Sequence, residues 1–198
     1  MTGAVAAGAA GPAVFLDRDG TVNEDVGFLR DAGQLRLFPW AGAAVRRLNL
    51  AGLPVVVVTN QSGIARGILT EPGVADVHRH LSTLLGADDA HVDAYYYCPH
   101  HPDGTVAEFA VVCDCRKPGR GLVDRAARHL RFDPAQSFVV GDKWLDIGLA
   151  RAIGARGVLV RTGYGAAEER RPQPPLVADA VVDHLGDAVD WILDHVGS

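Results

Sequence analysis

Two aspartates separated by one residue follow a short apolar run near the start of the chain, in the segment AVFLDRDGT (residues 13–21). Asp17 comes directly off the predicted strand, so its side chain should be rigidly placed, whereas Asp19 lies on the following turn. Gly20 permits the unusual backbone angles that would turn both carboxylates toward one site. Ionised carboxylates can act as nucleophiles or as metal ligands at neutral pH. For an isolated D-x-D, a solvated turn is the alternative interpretation.

A second acidic pair follows another apolar strand, in VVGDKWLD (residues 139–146). Asp142 can complete an oxygen-rich site with Asp17, and hard oxygen ligands with open water positions suit Mg²⁺ rather than zinc. Asp146 lies four residues further on, at the start of a predicted helix, where it can orient a cation or a metal-bound water. An acid that complements the helix dipole is the alternative for Asp146.

Groups suited to a phosphoryl group follow two other segments. The motif TNQSG (residues 59–63) places the Thr59 hydroxyl and several backbone N–H groups after the strand PVVVVT (residues 54–59). Lys117 supplies a positive charge for a phosphoryl oxygen, and Arg116 beside it offers a forked donor.

All three cysteines of the chain lie between residues 98 and 115, together with two histidines. Cys98, His100, Cys113 and Cys115 form the pattern C-x-H followed by C-x-C, a common tetrahedral ligand set for structural zinc. One disulfide with a cysteine left over, or three inert thiols, are the alternatives, although a C-x-C disulfide is strained. His101 is not expected to be a ligand. Zinc would fix the direction of Arg116 and Lys117, which follow Cys115 directly.

Short apolar segments alternate with amphipathic ones along the chain. This order predicts an α/β fold, with a Rossmann-like parallel sheet covered by helices on both faces. Ligands of such sheets bind beyond the carboxyl ends of the strands, where the polar clusters lie. We predict a leader over residues 1–12 and a single domain over residues 13–198, with strands over residues 13–17, 54–59, 92–98, 136–142, 157–160 and 180–182, and helices over residues 41–52, 71–85, 121–130 and 188–195 and through 149–154.

The composition excludes several classes of function. The formal net charge is −5 and the isoelectric point is about 5.9, so the chain lacks the basic surface of a general nucleic-acid binder. No apolar run is long enough to span a bilayer, and the N-terminus lacks the pattern of a signal peptide. We therefore expect a cytoplasmic monomer that binds neither nucleic acid nor membranes.

The ordered motifs DRDGT, VVVVTNQSG, CRKP and VVGDKWLD resemble those of the haloacid dehalogenase (HAD) phosphatase superfamily, over about residues 13–164. Within it, DRDGTVNEDVGFL, TNQSGIARG, YYYCPHHPDG and CDCRKP resemble the D-glycero-D-manno-heptose 1,7-bisphosphate 7-phosphatase family and the related histidinol-phosphatase domain. The sequence departs from that family after CRKP, where it reads GRGL. This departure concerns the shape of the loop rather than the catalytic residues.

The resemblance implies a role for each matching residue. Asp17 would be the nucleophile and form an aspartyl-phosphate, and Asp19 would be the general acid and base. Mg²⁺ would be held by Asp17, Asp142 and the backbone carbonyl of Asp19, while Thr59 and Lys117 would stabilise the phosphoryl group. The substrate would be a small phosphorylated sugar, contacted by Asp25, Val26, Gly27, Phe28, Asn60, Gln61, Ser62, Arg116 and Lys143.

Two alternatives stay open at this point. Histidinol phosphate is the alternative substrate, because substrate choice lies in loops rather than in the core motifs. A catalytically inactive, zinc-stabilised binding module is the alternative from another class. We expect no large cap domain, because about eleven residues separate Asn60 from the next predicted helix. We interpret the remaining histidines, including His78, as structural residues on helix or strand surfaces.

The role of Asp17 gives a direct prediction. The variant Asp17→Asn should lose turnover, because an amide cannot attack phosphorus and form the acyl-phosphate. Phosphate release by the purified variant measures this. Steady-state turnover above background would contradict the assignment.

Overall fold

Six parallel strands form the single sheet of the computed structural model, which describes residues 10–197. The strands are β1 (Val14–Leu16), β2 (Val55–Asn60), β3 (Ala94–Cys98), β4 (Phe138–Gly141), β5 (Arg156–Val160) and β6 (Ala180–Val182). Their order across the sheet is β3-β2-β1-β4-β5-β6, so β1 lies between β2 and β4. The carboxyl ends of these three central strands therefore meet at one edge. Most of the predicted leader lies outside the described residues.

Helices cover both faces of the sheet, as the sequence predicts. They are α1 (Ala41–Leu50), α2 (Glu71–Gly86), α3 (Gly121–Ala126), α4 (Trp144–Ile153), α5 (Gly165–Glu169) and α6 (Leu185–His195), with short 3₁₀ helices at Ala32–Gln34 and Pro134–Gln136. One core contains side chains of α1, α2 and α6 against Val14 and Leu16 of β1. The other contains side chains of α3 and α4 against Phe15 and Val58. No helix within residues 10–197 has the length and apolar character needed to cross a bilayer.

The residues of strand β2 explain why this strand lies in the interior of the sheet. Its first five residues, VVVVT, are buried, as expected for a parallel strand covered on both faces. Alternate residues contribute to opposite cores: Val55 packs into the first, and Val56 and Val58 pack into the second. The strand ends in Thr59 and Asn60, which places two polar residues at the edge where β1 delivers Asp17.

Several predicted boundaries differ from the structure. Helix α3 ends at Ala126 rather than at residue 130, and the following residues form a looser turn. Helix α6 begins at Leu185 rather than at residue 188, because the His184 ring accepts a hydrogen bond from Asp187 N while the Asp187 carboxylate accepts one from His184 N. Histidine is an uncommon N-cap, so the start of this helix is only weakly marked in the sequence. Helix α5 was not predicted.

No large cap domain is present in the described part of the chain. Only residues 61–70 separate β2 from α2. The longest connection between named elements is residues 99–120, between β3 and α3, and it carries most of the cysteine–histidine segment. The edge where the carboxyl ends of the central strands meet is therefore bordered by short loops and by this one long connection.

The turn after β1 gives a stability prediction. Gly20 has a φ of +88°, and a Cβ there would lie 2.3 Å from the Asp142 carboxylate. Gly20→Ala should therefore lower the free energy of unfolding by about 1–3 kcal/mol, as measured by urea denaturation. Gly86→Ala is the control, because a Cβ at this helix terminus meets nothing within 4 Å. Equal effects of both substitutions would contradict the strain argument.

Candidate active site

A cavity of about 390 Å³ opens at the carboxyl edge of the sheet, where β1, β2 and β4 end. Every residue predicted to act in catalysis or to bind the substrate lines it, except Val26. That residue is half exposed and is not part of the cavity wall, so its substrate contact stays a prediction. The lining residues are Asp17, Asp19, Asp25, Gly27, Phe28, Thr59, Asn60, Gln61, Ser62, Gly63, Arg116, Lys117, Lys143, Leu145 and Tyr164.

Lys117 lies at the floor of the cavity and is almost completely buried. Its Nζ donates to Asp17 Oδ1 at 2.7 Å, to Asp146 Oδ1 at 2.6 Å and to the Val58 carbonyl at 2.8 Å. All three N–H groups of the ammonium therefore have an acceptor. Burial opposes its charge, but Asp146 and Asp17 more than offset this and raise the pKa of Lys117. The ammonium thus stays charged, which suits the neighbourhood of a phosphoryl group.

Asp142 has one carboxylate oxygen available for a cation. Its Oδ2 accepts a hydrogen bond from Tyr164 N at 2.8 Å, whereas its buried Oδ1 has no hydrogen-bond partner. The nearest cation, Lys143 Nζ, lies 3.4 Å from that oxygen. Burial, and next the charge of Asp17, raise the pKa of the Asp142 carboxyl to about 7.

Three buried carboxylates meet beside this oxygen. Asp17, Asp142 and Asp146 each offer an oxygen, and these atoms lie within 4.8 Å of one another. Burial raises the pKa of Asp146 to about 6, although Lys117 opposes the shift. Crowded carboxylates of this kind, with one unpartnered oxygen, fit a divalent cation such as Mg²⁺, whose preferred ligands are oxygens. The Asp19 carboxylate is not part of this group.

The Asp19 carboxylate instead accepts hydrogen bonds from three neighbouring side chains. Arg18 Nη2 lies 2.7 Å from Oδ2, Asn23 Nδ2 lies 3.0 Å from Oδ1, and Gln61 Nε2 lies 3.0 Å from Oδ2. Burial alone would raise the pKa of Asp19, but the Arg18 charge and these hydrogen bonds lower it below its ordinary value. The side chain is nevertheless 18% exposed and lines the cavity.

Thr59 and Asn60, the last residues of β2, make different side-chain hydrogen bonds. Thr59 Oγ1 accepts from Gln61 Nε2 at 2.9 Å and lines the cavity wall. The Asn60 amide is used on both sides by the Lys117 backbone, with Oδ1 accepting from Lys117 N at 3.0 Å and Nδ2 donating to Lys117 O at 3.2 Å. Asn60 therefore holds the Lys117 segment against β2, a role the sequence did not reveal.

The outer part of the cavity combines charged and aromatic side chains. Lys143 Nζ lies 3.4 Å from Asp25 Oδ2 and 4.6 Å from the centre of the Tyr164 ring. The Asp25 carboxylate also accepts a hydrogen bond from Gly27 N at 2.7 Å, which shapes the loop that carries Phe28. These contacts place a cation and two aromatic rings around the cavity.

Sequence reasoning missed several residues of this region. Tyr164 lies in the loop after β5, which carried no recognisable motif. Arg18 is visible in the DRDGT motif, yet nothing in the sequence showed that its guanidinium would be buried. The prediction of a surface position for His78 was wrong: the residue is 7% exposed and its Nε2 lies 3.3 Å from Arg18 Nη1.

The cysteine–histidine group lies at the end of β3. The Sγ atoms of Cys98, Cys113 and Cys115 lie 3.3–3.6 Å apart, and His100 Nδ1 lies 3.3 Å from Cys115 Sγ and 3.7 Å from Cys98 Sγ. Tetrahedral zinc with Zn–S bonds of about 2.3 Å places sulfurs about 3.8 Å apart, so the spacing is close to that of a zinc site. The three cysteines are free. Burial raises the pKa of Cys98, so a thiolate there needs a cation beside it.

The raised pKa of Asp142 gives a pH-dependent prediction for the metal-free protein. Above a pH of about 4 the unfolded chain releases this proton, whereas the folded chain keeps it up to about pH 7, so stability is lost as the pH rises through that window. Asp142→Asn mimics the neutral acid. With chelator present, it should exceed the wild type in free energy of unfolding by about 1 kcal/mol or more at pH 8, and by less at pH 5.

Urea unfolding at the two pH values measures this difference. Asp103→Asn is the control, because that side chain is 86% exposed. Adding Mg²⁺ should stabilise the wild type and not Asp142→Asn, since the variant lacks one of the expected carboxylate ligands. A stability difference that does not change with pH would contradict the burial argument.

Comparisons with known proteins agree on one family. Residues 114–188 match the HAD-hydrolase-like family model. The chain is 43% identical over 178 residues to the D-glycero-beta-D-manno-heptose-1,7-bisphosphate 7-phosphatase of Escherichia coli K12, covering 89% of this chain and 91% of that protein. It is 42% identical over 173 residues to the protein of that name from Haemophilus ducreyi, covering 86% and 94%.

Solved structures lead to the same family. The D,D-heptose 1,7-bisphosphate phosphatase of B. bronchiseptica, complexed with magnesium and phosphate, superposes with a TM-score of 0.81 at 32% identity over 92% of this chain and 98% of that one. A putative HAD-like phosphatase from Mesorhizobium loti gives a TM-score of 0.81 at 33% identity, over 100% and 93% of the two chains. Shared sequence, shared fold and the buried aspartate–lysine site together show that this chain belongs to the D-glycero-D-manno-heptose 1,7-bisphosphate 7-phosphatase family of HAD phosphatases.

Proposed function

We propose that this enzyme removes the 7-phosphate of D-glycero-D-manno-heptose 1,7-bisphosphate, a step in nucleotide-heptose biosynthesis. The observation that carries the proposal is the buried Asp17–Lys117 pair at the floor of a cavity that also contains Asp19. A rigid carboxylate, a permanent positive charge and a second carboxylate near the solvent are the groups that phosphoryl transfer through an aspartyl-phosphate needs. The names of the relatives support the choice of substrate.

The carboxylate group of Asp17, Asp142 and Asp146 fits Mg²⁺. Asp17 and Asp142 would hold the ion together with the backbone carbonyl of Asp19, and Asp146 would orient Lys117 and the ligands around it. When bound, Mg²⁺ would neutralise negative charge on the phosphoryl oxygens and on the crowded carboxylates. The unpartnered Oδ1 of Asp142 supports this assignment.

In the first step an Asp17 oxygen attacks phosphorus, and the bond from phosphorus to the sugar oxygen breaks. Asp19 donates a proton to that leaving oxygen, which becomes the free hydroxyl. In the second step Asp19 takes a proton from water as the water oxygen attacks phosphorus, which releases phosphate and restores Asp17. Lys117 and Thr59 stabilise the transferred group through their N–H and O–H donors.

The environment of Asp19 sets the protonation state from which these steps begin. In the free enzyme the carboxylate is ionised because the charge of Arg18 and the hydrogen-bond donors outweigh the effect of burial, so it can accept a proton. An anionic phosphate entering the cavity would raise the pKa of Asp19, because like charges disfavour ionisation. The like charge of the substrate thus favours the protonated form that the first step requires.

The charges of the outer cavity favour a bisphosphate over histidinol phosphate. Arg116 and Lys143 line the cavity in addition to Lys117, so a second phosphate has cationic partners. Histidinol phosphate carries one phosphate and a positively charged amine, which these cations would repel. Arg116 and Lys143, with Asp25, Gly27 and Phe28, would contact the sugar and its other phosphate.

We also propose that Cys98, His100, Cys113 and Cys115 bind a structural zinc ion. A site with four protein ligands leaves no open position for catalysis. The Arg116 guanidinium donates to the His100 carbonyl at 3.4 Å, and Lys117 follows Arg116 directly, so zinc would fix the segment that carries both cations. The metal would position phosphate-binding groups without taking part in the reaction.

The substrate assignment predicts a difference in catalytic efficiency. Mg²⁺-dependent phosphate release from both anomers of heptose 1,7-bisphosphate should exceed that from histidinol phosphate by tenfold or more in kcat/KM, about 1.4 kcal/mol of transition-state binding. Asp17→Asn serves as the blank. A preference for histidinol phosphate would reject the substrate and leave the mechanism intact, whereas no release above the blank would favour the inactive binding module.

The zinc assignment predicts the effect of losing one ligand. Cys113→Ala should lower bound zinc well below one equivalent per chain and raise the KM, because the Arg116–Lys117 segment loses its anchor. Metal analysis and steady-state kinetics measure the two effects. Val112→Ala is the control, since that side chain is 88% exposed and its neighbour carries the thiol. Full zinc content, or unchanged kinetics after zinc loss, would contradict the proposal.

A further inference from the structure

A buried arginine lies behind the general acid and base. Arg18 is 1% exposed, and its guanidinium donates to Asp19 through Nε at 3.1 Å and through Nη2 at 3.0 Å and 2.7 Å. A guanidinium stays charged in proteins, so its burial is costly unless each donor finds a partner. The reaction described above does not require a charge at this position.

The other side of the guanidinium is bound by a histidine from helix α2. His78 Nε2 lies 3.3 Å from Arg18 Nη1, and the ring stacks on Tyr95 with centroids 4.8 Å apart and planes 20° apart. Tyr95 in turn shares a hydrogen bond of 2.8 Å with Ser82 of the same helix. Because a guanidinium can only donate, His78 Nε2 must accept, so the ring is neutral with its proton on Nδ1.

The environment of His78 agrees with this neutral form. Burial, and next the charge of Arg18, lower the pKa of His78 to about 3. The ring is therefore a fixed acceptor and not a proton donor for the reaction. Its position is set by helix α2 and strand β3, outside the motif that carries the catalytic aspartates.

We propose that Arg18 and His78 are positioning residues that fix the orientation of the Asp19 carboxylate for proton exchange with the leaving oxygen. Arg18 acts through Asp19, and His78 acts through Arg18. The inference rests on the proposed function, in which Asp19 is the acid and base. Asn23 and Gln61 each donate one hydrogen bond to the same carboxylate, whereas Arg18 contacts both of its oxygens, so the fork of Arg18 limits how far they can turn.

Leaving groups of different basicity separate positioning of the acid from a general structural role. A sugar alkoxide needs a proton as it leaves, whereas an aryl oxide such as p-nitrophenolate leaves readily without one. The measurement is kcat/KM, which includes the phosphoryl-transfer step, for heptose 1,7-bisphosphate and for p-nitrophenyl phosphate. His78→Leu removes the acceptor of Arg18, and Arg18→Lys keeps the charge but loses the fork.

We expect both variants to lose about tenfold in kcat/KM on the sugar substrate and less than about threefold on the aryl substrate. His78→Gln should recover most of the loss, because its amide oxygen can accept from Arg18. His80→Leu, on the same helix, is the matched control and should behave as wild type. Circular dichroism and thermal unfolding verify folding, and Arg18→Lys carries the test if His78→Leu does not fold.

Two results would overturn the inference. One is an equal loss on both substrates, which indicates a structural role. The other is no loss on either substrate by folded variants. A wild-type enzyme that cleaves p-nitrophenyl phosphate but not heptose 1,7-bisphosphate would instead reject the proposed substrate, and the same comparison on the alkyl phosphate it does cleave would still decide the role of Arg18 and His78.

Discussion

The ammonium of Lys117 links the parts of the site, because it is buried between two carboxylates from distant segments. It bonds Asp17 at the end of β1 and Asp146 in the first turn of α4, and it also donates to the carbonyl of Val58 in β2. Removing one partner from a buried ion pair typically costs about 3–5 kcal/mol, because the remaining charge is left uncompensated. The three segments therefore hold each other in place.

Lys117 lies in no helix or strand, so other contacts must fix its backbone. The Asn60 amide binds the backbone N–H and carbonyl of Lys117 like a neighbouring strand. On the other side, the buried Cys115 belongs to the cysteine–histidine group that ends β3. The long connection between β3 and α3 is thus anchored at Cys115 and at Lys117 itself.

The charge balance around Lys117 favours the binding of a cation. Asp17, Asp142 and Asp146 bring three carboxyl groups, and Asp25 shares Lys143 with them, whereas Lys117 and Lys143 are the two cations paired with this group. Burial raises the pKa values of Asp142 and Asp146, and the nearby charge of Asp17 raises both further. The Asp19 carboxylate lies outside this group and is paired with Arg18.

The sequence alone determined the fold class, the family and nearly all of the cavity wall. This succeeded because strand-ending motifs such as DRDGT and TNQSG must meet at one edge of a parallel sheet, whatever the details of packing. The pairing of Asn60 with Lys117, the burial of His78 and the place of Tyr164 were decided only by the tertiary structure. Each depends on which side chains from segments distant in the sequence pack against one another. A local sequence pattern does not contain that information. A histidine on an amphipathic helix looks the same in sequence whether its ring meets solvent or a buried guanidinium.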